Sequence, residues 1–285
     1  MRTLILGKHG LLGHELQKVF ANEDFIALDS KQLDITDEEK VVETFMTIQP
    51  DVVINATGYT NVDLAEKEGE KANAVNGYAV GILAKACREI DATFVHFSTD
   101  YVFEGDKPQG YSEDDPTHPL NAYGLSKELG EKLLIEEMEL EQIPDETPGK
   151  YFLIRTSWLF AHGGKNFVDT MLKMAESTNP LKVVKDQHGK PTYALDLAKQ
   201  VKWLLESHEY PYGIYHITNE ESTTWYEFAK AIFDLKGLQV DVVPCTSEEY
   251  VRPAKRPAYS NLINTKLPPL RPWKEALKDY LSTLV

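Results

Sequence analysis

The chain has 285 residues, and 30 basic against 45 acidic side chains give it a net charge of −15. A field of that sign repels nucleic acid and anionic membrane surfaces. No apolar run approaches the ~20 residues that cross a bilayer, and Met1–Gly7 reads straight into a strand rather than a cleavable leader, so a cytoplasmic protein is expected. Cys87, in a helical stretch, and Cys245, in a loop, are too few for a disulfide framework and are expected reduced and structural. The eight histidines show no metal-ligand spacing, so no metal is expected.

The first half alternates apolar strands with helical patterns. Thr3–Leu6 predicts a strand and Leu11–Phe20 a helix, followed by a strand at Phe25–Leu28 and a helix at Asp37–Ile48. A third strand is expected at Asp51–Ala56, a long helix through Ala72–Ile90 and a fourth strand at Thr93–Ser98. After a polar loop come a helix from Asn121 to Glu139 and a strand at Tyr151–Arg155. Glu141–Lys150, with two prolines and a glycine, reads as a surface loop between them. Strands joined by helical crossovers imply a parallel sheet covered on both faces. After Trp158 the alternation weakens. Helices are expected at Asn166–Glu176, Ala194–Ser207, Thr224–Leu235 and Trp273–Leu284, and strands at Leu181–Val184, Gly213–Ile217 and Val240–Val243. A Pro-rich basic loop spans Arg252–Pro257. The expected fold is α/β: a Rossmann-type, doubly wound parallel sheet with a smaller C-terminal lobe.

Gly7-Lys8-His9-Gly10-Leu11-Leu12-Gly13 directly follows the first strand and opens a helix. Glycines at Gly7, Gly10 and Gly13 let the backbone turn tightly and approach a pyrophosphate, while helix N–H groups point at the anion. Asp29 follows the second strand, where an acid can hydrogen-bond an adenosine ribose and disfavour a 2′-phosphate. Asp34 and Ile35 could flank the adenine. Ala56, Thr57 and Gly58 end the third strand with small residues that let a cofactor lie over the strand ends. The most specific signal pairs Ser98-Thr99-Asp100-Tyr101 with Tyr123-Gly124-Leu125-Ser126-Lys127. Tyr123 and Lys127, at i and i+4, share a helical face. A free phenol has a pKa of about 10, and a neighbouring ammonium brings proton transfer within reach. Thr99, at a strand end, can hydrogen-bond a substrate oxygen. Arg252, Lys255 and Arg256 form a compact basic patch suited to a diphosphate.

On these residues the chain resembles the extended short-chain dehydrogenases/reductases, and within them the dTDP-4-dehydrorhamnose reductase family. The resemblance runs nearly end to end. It includes Gly7–Gly13, Pro50–Ala56, Ser98–Phe103, Asn121–Lys127, Arg155–Trp158 and Asn166-Phe167. It continues through Asp186–Thr192, Thr224-Trp225 and Arg256-Pro257. It implies NADH or NADPH as cofactor, touched by Gly10–Leu12, Asp34, Ile35 and Gly58–Thr60 together with Tyr123 and Lys127. It implies catalysis by Thr99, Tyr123 and Lys127, with Asp100, Tyr101 and Trp158 beside a nucleotide sugar; Asn166 is expected on the substrate as well, and Arg252 and Arg256 of the basic patch on its diphosphate. Residues 1–157 plus 190–218 would bind the cofactor, and 158–189 plus 219–285 the nucleotide sugar. Some members carry an acidic residue just after the segment matching Gln187–Thr192, for magnesium at a dimer interface. Here Leu195 stands beside Asp196, which points to a metal-independent monomer or weak homodimer.

Two other functions fit parts of the pattern. A sugar-nucleotide dehydratase or epimerase is disfavoured because Asp100 is followed by Tyr101, a poor base for a C5 proton. A non-catalytic regulatory subunit of the methionine adenosyltransferase type is disfavoured by the intact Thr99, Tyr123 and Lys127.

Overall fold

A computed structural model describes residues 1–139 and 148–284. Its centre is a six-stranded sheet of β1 (Thr3–Leu6), β2 (Phe25–Leu28), β3 (Val52–Asn55), β4 (Thr93–Thr99), β5 (Tyr151–Thr156) and β6 (Gly213–His216). The order across it is β6-β5-β4-β3-β1-β2, and every adjacent pair is parallel. β1 and β3 are buried throughout, because both faces of a parallel sheet are covered. Alternate residues therefore feed separate cores. Leu4, Leu6, Val53, Phe94 and Leu153 pack with Phe45 and Leu83 on one face. Ile5, Ile54, Val95 and Ile154 pack on the other with Leu16 and Phe20. That second core runs on without a break to Phe160, Phe228, Trp273 and Tyr280, so the C-terminal region shares the sheet's own core.

Several elements differ from expectation. The long helix expected at Ala72–Ile90 is an α-turn at Gly69–Asn73, a π-helical turn at Ala74–Tyr78 and an α-helix at Ala79–Glu89. The strand expected at Val240–Val243 lies at Val242–Cys245, parallel to Leu181–Val184, so Cys245 ends a strand rather than sitting in a loop. Two short pairings are unannounced by any apolar run: Leu159–Phe160 with Thr192–Tyr193, and His188–Gly189 with Thr223–Thr224. Of the loop expected at Glu141–Lys150, residues 141–147 lie outside the described residues. Both cysteines are buried and unpaired. Among the described residues no helix is long and apolar enough to cross a membrane.

Candidate active site

The chain passes from β1 to β2 on one side of the sheet and returns to β3 on the other. That reversal opens a crevice at the strand ends, where ligands bind in open α/β sheets. A cavity of about 580 Å³ lies there, walled by the segments that follow β1, β3, β4 and β5.

Its first wall is backbone. Gly7 has φ +88°, and a Cβ there would sit 2.8 Å from the Ala56 carbonyl oxygen. A Cβ on Gly13 would sit 2.1 Å from the Gly7 oxygen. Only glycine allows the two loops and the helix to close this tightly. The Leu11–Val19 helix starts with Gly10 as N-cap and has no side chain capping it, so its first N–H groups remain open to an anion.

The helix that carries Tyr123 and Lys127, Ala122–Met138, is capped by Asn121, whose Oδ1 accepts from the Gly124 N–H at 2.8 Å. Gly124 has no room for a side chain, since a Cβ would stand 2.3 Å from the Tyr101 carbonyl. That contact presses the helix start against the end of β4. Tyr123 and Lys127 thereby face the same cavity as Thr99, Asp100 and Tyr101. The Tyr101 and Tyr123 rings meet edge-on, with centroids 6.0 Å apart. Lys127 Nζ donates to the Phe97 carbonyl at 2.6 Å and lies 3.2 Å from His96 Nε2. Burial pulls Lys127 down to about 8, against the pull of Glu131 one turn on. Burial also raises Tyr123 to about 12, while the Thr99 hydroxyl pulls it down. Asp100 is pushed up to about 7 by burial, against the hydroxyl of Thr99, which donates to Asp100 Oδ1 at 3.0 Å.

Four buried polar atoms of cavity-lining residues have no hydrogen-bond partner within the protein: Ser98 Oγ, Asp100 Oδ2, Thr156 Oγ1 and Trp158 Nε1. Orphaned atoms of this kind are rare in a finished core. With the open helix end and the glycine loop, they fit a site that takes a dinucleotide and a polar substrate. Trp158 has φ +47°, a conformation uncommon for so bulky a residue. It is stacked on Trp225 with centroids 3.5 Å apart, and its ring lies over Gly189.

The structure brings most of the expected residues together. Gly10, Leu11, Leu12, Ala56, Thr57, Gly58 and Thr60 line one side of the cavity, and Thr99, Asp100, Tyr101, Tyr123, Lys127 and Trp158 the other. Gly7 and Gly13 lie beneath the loop and shape it. Asp29, at the end of β2, is held by Lys8 at 3.3 Å and His9 at 3.0 Å and accepts from the Lys31 and Gln32 N–H groups. The carboxylate expected to repel a 2′-phosphate is thus already paired with Lys8.

Other placements depart from the sequence reading. Asp34 turns back on its own chain, accepting from the Thr36 N–H and hydroxyl, and Ile35 is buried in the core; neither lines the cavity. Asn166 caps the Phe167–Ala175 helix and donates to the Ala161 carbonyl, so its side chain is spent on structure. The basic patch is not free. Arg256 pairs with Asp63 at 3.1 Å and Arg252 with the same carboxylate at 3.7 Å. Arg256 also lies 6.0 Å from the centroid of the cavity-lining Tyr101 ring. Asp196 gives both oxygens to Arg271, at 2.7 and 2.9 Å, and accepts from Asn219. Leu195 packs against the core. Among the described residues no three carboxylate, His or Cys side chains converge as a metal site.

Several site residues were not legible in sequence. His96 reads as one position of an apolar strand, yet it is buried against Lys127 and Asn55. Asn76 sits in the π-turn, a feature frequent at functional sites. It exchanges two hydrogen bonds with the Tyr59 backbone and donates to Ser126 at 2.9 Å. An Asn-Gly pair inside a helical pattern was the available signal for it. Trp225, which stacks on Trp158, was marked only by the resemblance at Thr224-Trp225, with no role attached.

Residues 1–285 match the family described as the RmlD substrate binding domain. The chain belongs to that family. A spore coat polysaccharide biosynthesis protein, SpsK, of Bacillus subtilis is 43% identical over 98% of this chain and 96% of its own. A dTDP-4-dehydrorhamnose reductase of Burkholderia thailandensis is 39% identical over 94% of this chain and 92% of its own. The crystal structure of dTDP-4-dehydrorhamnose reductase from Bacillus anthracis in complex with NADP superposes with a TM-score of 0.91. It is 37% identical, over 99% of this chain and 98% of that one. Thr99, Tyr123 and Lys127 all line the one cavity.

Proposed function

We propose that the protein reduces the C4 keto group of dTDP-4-dehydro-β-L-rhamnose to dTDP-β-L-rhamnose, using NADH or NADPH. Such a reaction serves L-rhamnose and cell-surface polysaccharide biosynthesis. The observation that carries this reading is the convergence of Thr99, Tyr123 and Lys127 on one cavity whose opposite wall is the glycine loop. A nicotinamide held there would supply the hydride for the carbonyl carbon. Gly7, Gly10–Gly13 and Ala56–Thr60 would hold the dinucleotide. Thr99 orients the carbonyl oxygen, and Tyr123 delivers the proton as charge develops there. A phenol raised to about 12 stays protonated at neutral pH, which reduction requires, and an alkoxide is a strong enough base to take its proton. Lys127, when charged, strengthens Tyr123 as an acid.

The substrate would lie between Tyr101 and Trp158, with its diphosphate toward Arg256 and Arg252. Residues 158–189 plus 219–285 would form the nucleotide-sugar side, and 1–157 plus 190–218 the cofactor side. The Asp29–Lys8–His9 cluster supports use of either cofactor, since two side chains able to carry positive charge lie where a 2′-phosphate would stand. A cytoplasmic, metal-independent monomer or weak homodimer completes the reading. The deciding assay follows NADH and NADPH oxidation with dTDP-4-dehydrorhamnose and its UDP counterpart, with and without chelator. Turnover of the dTDP sugar that survives chelation supports the proposal. No oxidation of either cofactor refutes it, as does activity that chelation abolishes for the metal-independent part.

A further inference from the structure

Lys127 does not end the polar chain at the catalytic helix. Behind it, His96 is buried in the middle of β4, and Asn55 ends the neighbouring strand β3, directly beside His96 in register. Lys127 Nζ is 3.2 Å from His96 Nε2, and His96 Nδ1 is 3.1 Å from Asn55 Nδ2. The orientation of the Asn55 amide is assigned by its other partners. Its oxygen accepts from the Thr57 N–H at 3.1 Å and from the Thr57 hydroxyl at 2.5 Å. The amide NH₂ must therefore face His96, and it can only donate. His96 Nδ1 is then the acceptor, and the ring proton of the neutral imidazole sits on Nε2, aimed at Lys127. An ammonium has three donors and no acceptor, so it cannot receive that proton; a neutral amine can, and it still donates to the Phe97 carbonyl.

We propose that His96, locked by Asn55 as the Nε2–H tautomer, is a positioning residue that biases Lys127 toward the neutral amine. The other groups facing Lys127 do not cancel this bias. Tyr123 and Glu131 lie one turn to either side on its own helix. Glu131 favours the ammonium, but its carboxylate is held by Arg155 from β5 at 2.7 Å. Asp100, beyond the end of β4, is raised to about 7 by burial, so it is mainly neutral below that pH and opposes the bias only above it, as a carboxylate. Burial acts on Lys127 in the same direction as His96, and His96 itself is held far below its ordinary range by burial and by Lys127. Loss of the ammonium weakens Tyr123 as an acid, so His96 sets the pH at which reduction fades. That consequence rests on the function proposed above, whereas the tautomer and the titration do not.

Two measurements on the full chain test it. In the first, nitrogen-15 NMR of histidine-labelled protein reads the ring of His96, with no substrate present. A protonated Nε2 and a bare Nδ1 are expected; a protonated Nδ1 overturns the proposal. In the second, Asn55→Asp inverts the lock. One carboxylate oxygen can still accept from Thr57, while the other accepts from His96 Nδ1–H, which turns Nε2 into an acceptor for the ammonium. The titration of Lys127, followed by NMR of labelled lysine, should move up by about one unit or more. The alkaline limb of kcat for keto-sugar reduction should move with it. A folded Asn55→Asp variant whose Lys127 titration is unmoved also overturns the proposal. If that variant does not fold, the wild-type tautomer decides alone. If no keto sugar is reduced, the functional reading fails while both NMR results still judge this one.

Discussion

The two walls of the cavity are made by different means. The glycine-loop wall is backbone against backbone within the first 60 residues: Gly7 under Ala56, Gly13 against Gly7, and a helix end left uncapped. The opposite wall is held by polar side chains that reach across the chain. Glu113 accepts from Thr265, 152 residues away, and from the His216 N–H. Arg155 clasps Glu131 in the interior. Asp63 pairs with Arg256, and Asn121 donates to the Lys255 carbonyl. A wall of the first kind tolerates almost no added atoms but needs no distant partner. A wall of the second kind depends on every partner arriving, because a buried charge left alone is costly.

Between the walls lies the chemistry, and removing it should leave both standing. Tyr123→Phe should lower kcat by ~10²–10⁴-fold, the range for a lost general acid, with thermal stability and NAD(P)H affinity unchanged. Near-normal turnover with chemistry rate-limiting would remove Tyr123 from its role. Next in size is Arg155→Ala, which strands Glu131 in the interior. It should cost about 3–5 kcal/mol of folding stability, measured by denaturant unfolding, although Arg155 does not line the cavity. A loss below about 1 kcal/mol would mean that the polar wall is not held as described. Arg256→Ala should raise KM for the nucleotide sugar by the equivalent of about 1.5–3 kcal/mol, the loss of one charge-assisted contact. The Kd for NADH should hardly move. The reverse pattern would place the loop on the cofactor side. Gly13→Ala should do the opposite: the added methyl collides with the Gly7 carbonyl, at a cost of about 1–3 kcal/mol. That cost should appear as weaker NAD(P)H binding with little change in sugar KM at saturating cofactor. If Gly13→Ala and Arg256→Ala give the same kinetic signature, the two walls are not functionally separate.

How far the sequence could be read follows the same division. β1, β3, β4 and β5 were legible because strands buried on both faces must be apolar along their length; β2, the half-buried edge strand, was legible as a short apolar run between turns. The glycine loop and the Tyr123–Lys127 pair were legible because each is a local spacing on one element. Asn166 shows the limit of motif reading. Its position suggested substrate contact, but an Asn three residues before Asp169 at a helix start is also capping chemistry, and capping is its observed use. The Arg252–Arg256 patch likewise looked free in sequence. Nothing along the chain announces that Asp63, about 190 residues earlier, pairs with it.

The sequence by itself determined the parallel α/β architecture, the glycine turn after β1 and the placing of Tyr123 and Lys127 on one helical face, since each follows from a period or a spacing within a single segment. Only the tertiary structure decided which charges are already paired, where the helix before Ala79 widens into a π-turn to aim Asn76, and that Trp158 stacks on Trp225. It also decided that His96 stands between Lys127 and Asn55. These depend on which segments meet, and contacts between distant segments are set by packing of the whole core rather than by the residues on either side.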